Sequence, residues 1–227
     1  MDLIIYGIAI ISLIISFGAQ AYIKSSYSKY SKVNTKKGKT GEEVARKILD
    51  LNGLKDVKVV EVSGYLSDHY DPSKKVVRLS SDNFKGSSVA NVAVAAHECG
   101  HAIQDGTNYS FLRVRSSFVP VVNFSSFAGY IAILIGCITG LFGLILLGIL
   151  CEVAILLFQM VTLPVEFDAS NRALKQLQEH DMLDKSEISN SRTVLRAAAL
   201  TYVASVVTTI LYIIRLLAMF NRGRDRR

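Results

Sequence analysis

"FVPVVNFSSFAGYIAILIGCITGLFGLILLGILCEVAILLFQMVTL", residues 118–163, is the stretch on which the fold class turns. Glu152 is the only formal charge between Arg115 and Glu166. A membrane-spanning helix needs about 20 apolar residues, so these 46 suffice for two helices joined by a short turn. Gly136, Gly140 and Gly143 lie near the centre, where that turn would fall. Glycines also pack membrane helices together, so they do not mark the turn uniquely. A carboxylate inside an apolar span is costly without a partner. Glu152 is therefore expected to face protein or water, either as a hydrogen bond between helices or as part of a substrate path.

The rest of the chain repeats this pattern. Half of its 227 residues are hydrophobic, and they are bunched into long runs rather than spread with a surface-helix period. Residues 3–23, "LIIYGIAIISLIISFGAQAYI", are long enough to span a bilayer. Ala19-Gln20-Ala21 imitates a signal-peptidase site, but Asp2 and the absence of a basic residue before the run favour an uncleaved anchor. Lys24, Lys29, Lys32, Lys36, Lys37 and Lys39 follow with no acid before Glu42. Such a block places residue 24 onward on the cytoplasmic side, with the N-terminus outside. The net charge of +7 is thus accounted for beside the membrane, and no nucleic-acid-binding motif accompanies it. A last apolar run, residues 197–220, contains Arg215 and precedes the basic tail "NRGRDRR". It is read either as a span in which Arg215 snorkels or as an interfacial helix.

Between the runs the chain is polar. Thr40 and Glu43 have capping-box spacing before a helix over 40–51, which Asn52-Gly53 ends. "VKVVEV" (57–62) and "KKVVRLS" (74–80) read as strands, and residues 88–104, 166–180 and 186–199 as helices. The resulting segments are an anchor at 1–23, a polar part at 24–115, a transmembrane hairpin at 118–163, helices at 164–196 and a hydrophobic helix with its tail at 197–227. Cys99, Cys137 and Cys151 form no disulfide framework and suit a reducing compartment or small buried positions.

The helix at 88–104 carries His97-Glu98-Cys99-Gly100-His101. Residues four apart lie about 6 Å along a helix and nearly on one face, so two imidazoles can reach one ion. Glu98 is rotated about 100° from His97, beside such an ion, where it can take a proton from water. That is the physical content of the H-E-x-x-H motif: two zinc ligands and a general base. Two histidines hydrogen-bonded on a polar helix face would give the same pattern. Ala95, Ala96, Gly100 and Ala102 leave room for close packing.

A catalytic zinc usually takes a third protein ligand and keeps one open position. Glu166 in "LPVEFDASNRALKQL", where the long apolar run ends, is the leading candidate. It is expected to open a helix, where an acid is also favoured by the dipole alone. His69 and His180 lack a supporting pattern. If His97, His101 and Glu166 share an ion, the chain between them must cross the membrane an even number of times. The length of residues 118–163 independently allows two crossings.

"VAVAAHECGHAIQD", preceded by "DHYDPSKKVVRLS" and followed by "LPVEFDASNRAL" and "VLRAAALTYVA", resembles the bacterial neutral zinc metallopeptidases, the YugP-like membrane proteins. The resemblance implies a membrane-bound zinc endopeptidase of the gluzincin type, with one zinc per chain on His97, His101 and Glu166 and with Glu98 as base. The chain is also distantly similar to the HtpX and CAAX-prenyl protease group, where an aspartate commonly follows the ligand glutamate by four residues. Here that position is Ser170, with Asp168 two residues after Glu166. Asp105 is a candidate to orient His101, or is simply a solvated acid near a helix end. "KKVVRLSS" reads either as an edge strand for an extended substrate or as an ordinary sheet strand. His69, Tyr70 and Arg172 are candidate oxyanion donors by their chemistry.

The expected fold is a mainly α membrane protein with a small α+β, zincin-like polar part. The expected function is zinc-dependent cleavage of membrane or membrane-proximal proteins, from a multi-pass position in a bacterial plasma membrane with the site facing the cytoplasm. The expected partners are the lipid bilayer and a protein or peptide substrate, not nucleic acid, with homo-oligomerisation left open. The alternative is a proteolytically inactive zinc-binding membrane scaffold or adaptor.

Overall fold

The structure is a computed structural model that describes residues 2–224, so Asp225, Arg226 and Arg227 of the basic tail lie outside the described residues. The elements run α1 (Asp2–Tyr30), α2 (Gly41–Leu51), β1 (Lys58–Val62), β2 (His69–Asp71), β3 (Val76–Ser80), α3 (Ser81–Lys85), α4 (Val89–Gly106), α5 (Ser110–Thr139), α6 (Phe142–Glu179) and α7 (Lys185–Arg224). This is a mainly α membrane protein with a small three-stranded sheet. Helices α1, α5, α6 and α7 are each long and apolar enough to cross a membrane.

The chain divides into two compact units. One gathers the chain up to Gln20, Arg113–Leu163 and the chain from Thr201. Within it α5 and α6 form the expected hairpin. The turn falls at Gly140, whose φ of 71° is a left-handed conformation that a glycine adopts without a Cβ clash. A Cβ at Gly129 would press on the Cys151 side chain, and one at Gly136 would meet Ile145. These glycines therefore let the two helix backbones approach closely, as small residues do in membranes. Ile145, Ile149 and Leu216 form a buried cluster with Ile133 and Tyr212 against it, so α7 packs on the hairpin. Tyr212 lies within electrostatic reach of both Glu152 and Arg215, so the charge in the hairpin has polar company from α7.

The second unit gathers Ala21–Leu112 and Pro164–Leu200. Its amphipathic helix α2 buries Val44, Ala45, Ile48 and Leu49. These pack into one core with Val92, Ala95, Ala96, Cys99 and Ala102 of α4, Val77 and Leu79 of β3, and Ala173 and Leu177 of α6. The small residues of α4 permit that density. Burial pushes the Cys99 thiol well above its usual range, which makes it an inert packing group.

Several elements differ from the sequence reading. The strand order is β1-β3-β2, with β1 parallel and β2 antiparallel to β3. The "KKVVRLSS" strand is therefore central, paired on both sides, and is not the free edge for a substrate. The short β2, which sets His69 opposite Arg78, was not foreseen because three residues carry no readable alternation. Glu166 does not open a helix: α6 runs unbroken from the apolar hairpin to Glu179 with Pro164 inside it. Proline removes one backbone hydrogen bond without ending the helix when packing holds both sides. The expected helix at 186–199 and the run at 197–220 are likewise one helix, α7. A change in hydropathy is a change of surroundings, and it need not break the backbone.

Part of the lysine block has a structural role. The backbone N–H of Lys36 donates to Glu187 at 2.7 Å, while the Lys36 and Lys37 side chains pair with Asp184 and Asp181. Thr35 N–H donates to the Ser87 carbonyl at 2.9 Å and Val89 N–H to the Val33 carbonyl at 2.8 Å. The loop after α1 thereby fastens the start of α4.

The Thr40 hydroxyl accepts from Glu43 N–H at 3.3 Å, and the Glu43 carboxylate accepts from Thr40 N–H at 2.8 Å. Thr40→Ala is expected to cost about 1 kcal/mol through loss of this cap. The check is the denaturation midpoint of detergent-solubilised protein.

Candidate metal centre

Helix α4 is held rigidly before it reaches the motif. Ser88 and Asn91 form a reciprocal cap at its first turn. Asn91 Nδ2 and the Tyr27 hydroxyl each donate to Asn83 Oδ1 at 2.8 Å, and Asn83 Nδ2 donates to Asp68 at 2.8 Å. Each polar group in this buried chain has a partner, as burial requires.

Two turns further on, His97 and His101 stand on one face with ring centroids 4.8 Å apart. Glu166 reaches them from α6: its Oε2 lies 3.4 Å from His97 Nε2 and 3.7 Å from His101 Nε2. Among the described residues these three form a cluster able to hold a metal ion, with His101 and Glu166 buried, His97 partly buried, and donor atoms all within 4.8 Å of one another. Four-coordinate zinc with bonds of about 2.0–2.1 Å spaces its ligand atoms roughly 3.3 Å apart, close to these separations. Two imidazoles and one carboxylate also match a catalytic donor set that leaves a position open. The residues therefore fit zinc.

The electrostatics follow from burial. Glu98 is enclosed, and burial pushes its pKa up, with Glu166 and Asp68 adding to the rise and both imidazoles opposing it. Burial would lower the pKa of His101, but the carboxylates of Glu166 and Glu98 beside it leave it raised. Two acids and two imidazoles thus sit in one enclosed space where each depends on the others.

The groups around the cluster differ from the expected ones. Asp105 does not orient His101; it accepts from the Tyr70 hydroxyl at 2.8 Å. His101 Nδ1 instead meets Gln104 Oε1 at 3.0 Å. Ser170 places its hydroxyl 3.2 Å from His97 Nδ1. Of the oxyanion candidates, Tyr70 is engaged by Asp105, exposed His69 bonds the Ser67 carbonyl, and Arg172 Nε donates to Asp168 at 2.5 Å. Gln104 was missed, although it lies three residues after His101 and hence on the same helix face.

The approach of α6 depends on Gly100. A Cβ there would collide with the carbonyl oxygen of Ala169. Gly100 thus matters to the motif beside its histidines and Glu98, because it lets the backbone of the other helix come in.

The described residues bring together a motif helix, a carboxylate returned to it after an apolar hairpin, and four helices long and apolar enough to cross a membrane, the make-up of a membrane protein with a candidate metal centre. Comparison with known proteins agrees. Residues 5–221 match the family described as "Putative neutral zinc metallopeptidase", and the chain belongs to that family. It is 44% identical over 218 residues to the "Putative membrane protease YugP" of Bacillus subtilis (strain 168), covering 96% of this chain and 97% of that one. No solved structure matches it.

Gly100→Ala is expected to destabilise the protein by about 1–3 kcal/mol, because α4 and α6 must separate to admit the methyl group. A fall in the denaturation midpoint in detergent is the measurement.

Proposed function

We propose that the protein is a membrane-integrated, zinc-dependent endopeptidase in which His97, His101 and Glu166 bind the metal and Glu98 is the general base. The observation that carries this reading is the convergence of Glu166 on both imidazoles at ligand spacing, from a helix remote in sequence. Family membership supports the zinc and the peptidase class.

Zinc bound there supplies a Lewis acid for the scissile carbonyl and lowers the pKa of water toward about 7. The imidazoles leave the ion its positive charge, and Glu166 offsets part of it inside the buried site. Glu98, turned about 100° round the helix from His97, takes a proton from the attacking water as its oxygen bonds to the carbonyl carbon. It then returns that proton to the amine as the C–N bond breaks, so the products are a carboxylate and an amine.

Substrates on this reading are membrane or membrane-proximal proteins, because the enzyme is confined to that surface. The site faces the cytoplasm of a bacterial plasma membrane, as the lysine block after the first apolar run favours.

Detergent-purified wild type is expected to carry about one zinc per chain, and His97→Ala and Glu166→Ala to lose most of it. Metal content by mass spectrometry is the measurement. Glu98→Gln is expected to keep its zinc while peptide cleavage falls about 10²- to 10⁴-fold, the range for removing a general base. Cleavage that survived Glu98→Gln intact would overturn the assignment of the base. A zinc-loaded wild type inactive on every membrane-protein and peptide substrate would favour the scaffold reading.

A further inference from the structure

Gln104 is fully buried on α4, one turn after His101. Its Nε2 donates to the Val165 carbonyl at 2.7 Å and to Asp168 Oδ2 at 2.9 Å. A backbone carbonyl can only accept, and Asp168 Oδ2 also accepts from Arg172 Nε at 2.5 Å. Arg172 in turn lies over the Tyr109 ring, 5.7 Å from its centroid. Both acceptors therefore require the amide nitrogen of Gln104 on their side, and they consume both of its protons. The amide oxygen is left facing His101 Nδ1 at 3.0 Å, and an amide oxygen can only accept. Nδ1 must then be protonated, which leaves Nε2, on the side of Glu166, as the nitrogen available to bind a metal.

We infer that Gln104, locked by Val165, Asp168 and Arg172, is a positioning residue that fixes His101 as its Nδ1–H tautomer and aims Nε2 at the metal. The inference rests on the zinc-site reading above and extends it to a chain of residues that never touch the ion. It also separates the two histidines. His97 Nδ1 meets the Ser170 hydroxyl at 3.2 Å, and a hydroxyl can donate or accept. His97 is oriented by that contact, but its tautomer is not dictated by it. The same lock joins two helices: Val165 and Asp168 flank Glu166 on α6, so one side chain of α4 sets both a ligand and the register of the helix bearing the other.

The test uses full-length protein in detergent, with zinc affinity measured by competition against a chromophoric chelator. The visible spectrum of the cobalt-loaded protein is recorded beside it, because it reports ligand geometry independently of catalysis. Gln104→Met, similar in length but without hydrogen bonds, is expected to weaken zinc about 10- to 100-fold and to shift the cobalt bands, as loss of a ligand's outer partner does. Ser170→Ala is expected to lose less than Gln104→Met. The far-ultraviolet circular dichroism spectrum of each variant, expected to match wild type, checks that any loss of zinc comes from a folded protein.

Wild-type affinity and an unchanged cobalt spectrum in Gln104→Met would overturn the inference. So would a Ser170→Ala variant weakened as much as Gln104→Met, because the contact at His101 Nδ1 would then be no more decisive than the one at His97 Nδ1. A wild type that binds no zinc is a different failure, and it removes the metal reading itself.

Discussion

The backbone contact between α4 and α6 at Gly100 and Ala169 is the constraint on which the site depends. Two histidines four residues apart can present two donors by local helix geometry alone, but two donors hold an ion weakly and give it no charge balance. The third donor must come from elsewhere in the chain, and Glu166 reaches both imidazoles only because nothing larger than a hydrogen stands between the helices. The alanines of α4 and Ala173 of α6 extend the same close fit into the core. The polar contacts follow from it: Ser170 on His97, and Gln104 reaching across to Val165 and Asp168.

This arrangement places an unusual density of ionisable groups out of water. Glu98, His101 and Glu166 are all buried, and Gln104 is buried beside them. A protein tolerates such a cluster when each group is paired, because an isolated buried charge costs several kcal/mol. Here the pairing is mutual, and the same geometry that satisfies it in the protein alone also suits a divalent ion. The membrane part contributes through connectivity. The hairpin brings the chain back, its glycines keep the two helices close, and α6 continues without a break from the apolar run to the ligand. An unbroken helix transmits position better than a loop would, so Glu166 inherits its placement from the packing of Ala169, Ala173 and Leu177.

Much of this was legible in the sequence, for identifiable reasons. The hairpin was readable because length and charge-free composition are summed properties that do not depend on detail. The capping box at Thr40 and Glu43 was readable because it is a local exchange of hydrogen bonds. Glu166 was reached by combining ligand chemistry with crossing parity. What misled was the use of hydropathy change as a boundary. The end of the apolar run suggested a helix start at Glu166, and the helix simply continues. Spacing along α4 left open whether Asp105 orients His101, and the Tyr70 hydroxyl on β2 claims it. The placement of the "KKVVRLSS" strand could not have been read, since which strand is central depends on what pairs with it.

The sequence by itself determined the membrane class, the motif helix and the identity of the three clustered donors, because each follows from local periodicity, composition or the chemistry of a donor set. Only the tertiary structure decided which groups stand behind those donors. Whether Gln104 or Asp105 bonds His101, and whether Ser170 lies close enough to serve His97, turns on side-chain directions and on shifts of an ångström or two between packed helices. Such differences leave no trace in residue spacing, since hydrogen bonds form or fail over distances far smaller than one helical turn.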